Sequence, residues 1–78
     1  MRILITGAAS GIGKATVKQL LEKGKEIIAF DINEEALDQL PEEVTKYHGD
    51  VYDEDRVKEV VQQEEFDVLV NCAGYYEL

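Results

Sequence analysis

A chain of 78 residues has room for one small domain, and 45% hydrophobic residues is an ordinary content for a globular fold. A formal charge of −9 speaks against nucleic acid and anionic membrane surfaces as partners, since both need a basic face. No apolar run approaches the roughly 20 residues of a membrane-spanning helix. The single cysteine, Cys72, cannot form an internal disulfide and has no Cys or His cluster around it. No metal site is expected, and the expected compartment is a reducing cytoplasm. Met1-Arg2 leads straight into an apolar run, so no secretory leader is expected.

That run, Arg2 to Thr6, is predicted as a strand buried on both faces. Thr6-Gly7-Ala8-Ala9-Ser10-Gly11-Ile12-Gly13 follows it, and a helix is predicted from about Gly11 to Lys23. Val17, Leu20 and Leu21 recur there at i, i+3 and i+4, with Ser10 as a candidate N-cap and Gly24 as a candidate C-cap. Glu26 to Asp31 is the second strand. Asn33 is placed to cap a second helix with Glu34 and Glu35 in its first turn, and Pro41 stops it. Val44 to His48, short and partly polar, is a third strand suited to a sheet edge. Asp53 can cap a third helix whose expected buried stripe is Val57, Val60 and Val61. Phe66 to Asn71 is the fourth strand. The order β-α-β-α-β-α-β with short connections predicts an α/β fold, a doubly wound parallel sheet.

The turn after the first strand has the chemistry of an anion site. A helix start leaves backbone N–H groups unpaired and carries partial positive charge. A turn with little side-chain bulk lets a pyrophosphate reach those groups. Gly7 permits the sharp exit from the strand, Gly11 the close approach of phosphate, and Gly13 tight packing of helix on strand. Asp31 ends the second strand about 20 residues past the glycines, where a carboxylate accepts from a ribose diol. A 2′-phosphate would meet like charge at Asp31, and Ile32 and Asn33 supply no cation to offset it. The expected cofactor is therefore NAD, not NADP.

The spacing Gly-x-x-x-Gly-x-Gly behind Thr6 resembles the cofactor motif of the short-chain dehydrogenase/reductase family. So do Asp31 after the second strand, Gly49-Asp50-Val51 after the third, and Asn71-Cys72-Ala73-Gly74 after the fourth. The resemblance covers the whole chain but only the first part of the family's fold. It implies a Rossmann-like sheet with strand order 3-2-1-4. It also implies a cofactor set of Gly7, Ser10, Gly11, Ile12 and Gly13 at the turn, with Asp31 and Ile32 at the ribose. Asp50 and Val51 resemble the family's adenine-contacting pair, although Asp50 equally suits a turn before the third helix. Asn71 to Gly74 resembles a crevice-lining Asn-Asn-Ala-Gly in which Cys72 replaces the second asparagine.

The family's catalytic serine, tyrosine and lysine lie beyond the Asn-Ala-Gly region and have no counterpart here. The only Tyr-x-x-x-basic spacing, Tyr52 to Arg56, falls at the start of the third helix, and arginine keeps its proton. No catalytic residue is assigned, and these 78 residues alone are expected to be inactive. Two functions remain: the NAD-binding part of an oxidoreductase that transfers hydride between NAD and an alcohol or carbonyl, or a stand-alone nucleotide-binding or assembly module. Val68-Leu69-Val70 would leave the fourth strand as an open apolar edge, through which a homodimer is expected.

Overall fold

A computed structural model describes residues 1–72. Its elements are β1 (Arg2–Thr6), α1 (Gly11–Glu22), β2 (Glu26–Asp31), α2 (Glu34–Asp38), β3 (Thr45–His48), α3 (Glu54–Gln63) and β4 (Val68–Asn71). The four strands form one parallel sheet in the order β3-β2-β1-β4. Ile5 at its centre stands opposite Ala29 on one side and Val70 on the other.

Alternate strand residues point to opposite faces, and each face has its own core. Ile3, Ile5, Ile27 and Ala29 meet Val17 of α1 and Leu37, Leu40 and Val44. Leu4, Ile28 and Phe30 meet Val60 of α3 on the other face. Cover on both faces is why β1 and β2 read as unbroken apolar runs. Ile5, Val17 and Ile28 have no exposed surface, and each such side chain contributes roughly 1.5–3 kcal/mol.

The helix ends differ in how they are closed. Asn33 and Asp53 accept from the N–H groups of Ala36 and Arg56 and cap α2 and α3. Ser10 is extended at the start of α1 but makes no side-chain capping bond. At the other end of α1, the N–H groups of Gly24 and Lys25 donate to the carbonyls of Leu21 and Leu20.

Three expectations shift. β3 starts at Thr45, because the Val44 N–H turns back to the Pro41 carbonyl at 3.1 Å. β4 starts at Val68: Phe66 packs into the α3-side core, and the Asp67 carboxylate accepts from the Arg2 N–H at 2.8 Å. Val61 is 45% exposed rather than part of a buried stripe. At 3.6 residues per turn it is rotated by about 100° from Val60, which already points at the sheet. β3 and β4 form the two edges as anticipated, with Val68 37% and Leu69 56% exposed. No helix among the described residues is long and apolar enough to cross a membrane.

One polar cluster ties the strand starts to the end of α3. Arg2 donates to Glu26 at 3.0 Å, to Glu64 at 2.9 Å and to the Glu65 carbonyl at 2.8 Å. Glu64 also accepts from the Tyr47 hydroxyl of β3. The Tyr47 hydrogen bond, then Arg2, holds the Glu64 carboxyl below its ordinary 4.5. The same bond to Glu64, aided by burial, raises Tyr47 above 10.0. A lowered carboxyl pKa contributes stability that is full above 4.5 and is lost as pH falls through the folded value. A raised phenol contributes stability that holds below 10.0 and is lost above it. Glu64→Gln should therefore be less stable than the parent near neutrality, with the gap closing in acid. Urea unfolding of both chains between about pH 7 and about pH 3 measures it. A gap that stays constant with pH would refute the assignment.

Candidate functional site

The carboxyl ends of the strands open into a cleft of about 620 Å³, beside the boundary where the strand order reverses between β1 and β4. That volume lies within the roughly 300–1,000 Å³ of small-molecule and cofactor sites. One wall is the turn from β1 to α1. The Gly7 N–H still bonds the Phe30 carbonyl at 2.8 Å, and the chain then leaves the sheet. Gly7 and Gly11 have φ of 67° and 56°, a left-handed backbone that side chains disfavour.

Gly13 answers a different need. A β-carbon there would stand 1.8 Å from the Gly7 carbonyl oxygen and 3.1 Å from the Ala8 α-carbon. The first turn of α1 is pressed against the turn that precedes it. The first bond of the helix runs from the Lys14 N–H to the Ser10 carbonyl. The N–H groups of Gly11 and Ile12 precede it and have no backbone acceptor among the described residues. Gly7, Ser10, Gly11 and Ile12 all line the cleft, whereas buried Gly13 lies behind the turn.

Asp31 and Ile32 form the second wall. Asp31 is only 7% exposed, and both its oxygens are engaged. Oδ2 accepts from the Ala9 N–H at 3.0 Å and Oδ1 from the Asn33 N–H at 2.8 Å. A carboxylate has about four acceptor positions, so two remain for a ligand. Asp50, Val51 and Tyr52 make the third wall, with Gly49 at its base. Asp50 forms the turn before α3 and also lines the cleft. Its Oδ1 accepts from the Tyr52 N–H at 2.9 Å while its carbonyl accepts from the Asp53 N–H. Cys72 closes the cleft past β4, held by its N–H to the Thr6 carbonyl at 3.0 Å. Asn71 stands aside, its Oδ1 accepting from the Thr6 hydroxyl. Ala73 and Gly74 lie outside the described residues.

Asp31 and Asp50 are the charged residues on this lining, and both are negative. Attraction for an anion must come from backbone N–H groups and the α1 dipole. The rim is apolar: Ile12, Ile32 and Tyr52 are 72%, 63% and 75% exposed. Tyr52 and Gly49 were not among the residues expected at the site. The signal for Tyr52 was its place directly after Asp50-Val51, at the mouth of an Asp-led turn.

Known proteins place the chain. A family model described as short chain dehydrogenase matches residues 1–78. The 3-oxoacyl-(acyl-carrier-protein) reductase FabG of Thermotoga maritima is 47% identical, over 91% of this chain and 34% of that protein. The 3beta-hydroxysteroid dehydrogenase 2 of Eggerthella lenta is 40% identical, over 91% and 32%. This chain thus spans about a third of the length of these relatives. Among solved structures, UDP-glucose 4-epimerase from Bifidobacterium longum in complex with NAD+ and UDP superposes with a TM-score of 0.82 at 30% identity, covering 96% of this chain and 25% of that one. The UDP-glucose 4-epimerase of Thermus thermophilus, in complex with NAD, gives 0.84 at 26% identity, covering 96% and 24%.

Gly13→Ala tests the close packing of turn and helix. The added methyl collides with backbone, so the cost should reach the upper end of the roughly 1–3 kcal/mol typical of overpacking. Denaturant unfolding measures it, and a variant as stable as the parent would show that the turn has room.

Proposed function

The chain belongs to the short chain dehydrogenase family, and we propose that its cleft binds NAD(H) as the cofactor-binding part of an oxidoreductase. The observation that carries this is the pairing of a glycine-rich helix start with a carboxylate, Asp31, on the adjoining wall of one cleft. In this reading the N–H groups of Ser10, Gly11 and Ile12 hold the pyrophosphate. The two free acceptor positions of Asp31 take the ribose hydroxyls. Ile32 and Val51 flank the adenine, and Asp50 or its backbone meets the base edge. Cys72 lies toward the nicotinamide side.

The reaction assigned to the whole protein is hydride transfer between NAD and an alcohol or carbonyl. The acid–base groups for it are not among these 78 residues. NAD is assigned over NADP because no cation among the described residues lines the cleft to balance a 2′-phosphate beside Asp31. A cytoplasmic setting follows the same reading.

Calorimetric titration with NAD, ADP-ribose and NADP tests the cofactor. Weak binding of the first two is expected, with NADP weaker still. No binding of any at millimolar concentration would remove the reading, and a preference for NADP would remove the selectivity assigned to Asp31.

The assembly proposed for the isolated chain is a homodimer across β4. Among the described residues β4 has a neighbour on one side only, and Leu69 presents 56% of its surface. A second copy related by a two-fold axis would cover the same strand on both chains. Light scattering at micromolar concentration should give twice the chain mass, and Leu69→Lys should reduce it to a monomer. A monomeric parent would exclude the pairing.

A further inference from the structure

We infer that Asp31 is a positioning residue for the phosphate-binding turn, in addition to its place at the ribose. The inference rests on the proposal that the cleft takes a dinucleotide. Asp31 Oδ2 reaches across from the end of β2 to the N–H of Ala9, in the middle of the turn between β1 and α1. Ala9 is 4% exposed, and its N–H has no other acceptor among the described residues. The second oxygen holds the N–H of Asn33, the residue that caps α2. One carboxylate therefore fixes two segments, and the first is the segment whose next residues present N–H groups to the phosphates.

Without Asp31, a buried N–H would be left without an acceptor, which a folded chain avoids by moving. The movement open to this turn is away from the sheet, because Gly13 already packs against Gly7 from the helix side. The Ser10, Gly11 and Ile12 donors would lose their common aim. Asp31 thus sets the affinity for a diphosphate that it does not touch. Cofactor choice and phosphate affinity are coupled through one side chain. Replacing Asp31 to admit a 2′-phosphate would loosen the grip on the pyrophosphate at the same time.

The sign of one measurement separates this from the alternatives. Inorganic pyrophosphate has no ribose, and removing a negative charge near an anion site should tighten its binding or leave it unchanged. Loss of positioning should weaken it. We expect Asp31→Ala to raise the pyrophosphate Kd at least three-fold, followed by amide shifts of Gly11 and Ile12 in NMR titrations of the 78-residue chain. Asp31→Asn, which keeps one acceptor, should fall between parent and Asp31→Ala, and it serves as the test if Asp31→Ala does not fold. Equal or tighter pyrophosphate binding by the folded variants would overturn the inference. In the parent, a scalar coupling through the hydrogen bond should link the Ala9 nitrogen to the Asp31 carboxyl carbon, and its absence would also overturn it. If the parent binds neither pyrophosphate nor ADP-ribose, the proposed function fails and the coupling alone decides whether Asp31 holds the turn.

Discussion

The structure depends on the contact between the first turn of α1 and the Gly7 carbonyl. That contact leaves no space for a side chain at Gly13. It sets the angle at which α1 leaves the sheet, so that Val17 lands on the core over Ile3 and Ile5. It also brings the unpaired N–H groups of the helix start to the carboxyl ends of the strands. Core packing and ligand site thus share one geometric requirement. The crossovers that follow are short, so α2 and β3 fall where the right-handed twist puts them.

Among the described residues the cleft is built with little charge, and none of it positive. The chain is strongly acidic, and the two charged residues that line the cleft among the described residues are acidic as well. A site for an anionic ligand in such surroundings has to rely on backbone dipoles, which no side-chain substitution elsewhere on the surface removes. In the proposed reading the negative groups act as selectors, accepting hydroxyls and amines and disfavouring additional phosphate.

Much of this was legible in the sequence. The seven elements and the pairing of the glycine turn with Asp31 follow from pattern and spacing, while the strand order and the place of Ile32, Asp50, Val51 and Cys72 at the same cleft came from the family resemblance. Pattern fails where a side chain has two possible uses. Ser10 looks like an N-cap but leaves the helix start open. Val61 fits an i, i+4 stripe with Val57, yet α3 meets the sheet along a narrower line through Val60. Asp67 reads as a strand residue; its N–H does donate to the Arg2 carbonyl, but the Arg2 N–H is taken by the Asp67 carboxylate, and β4 begins one residue later. The bond from Asp31 to Ala9 joins residues 22 apart in sequence, and no local pattern signals it.

The central position of β1 has a consequence for how the chain comes together. β1 precedes its partner strands in the chain, and Arg2 finds its partner Glu26 on β2 after 24 residues but its partner Asp67, just before β4, only after 65. During synthesis the β1-α1-β2 unit can close early, while the opposite flank of β1 waits for β4 to appear. Through that interval a strand of Ile3, Leu4 and Ile5 has unsatisfied ladder groups on one side. Long-range parallel pairing of this kind is slow to form. The interval before β4 docks is therefore when the nascent chain is most exposed to pairing with the wrong strand, and when a chaperone would have most to bind.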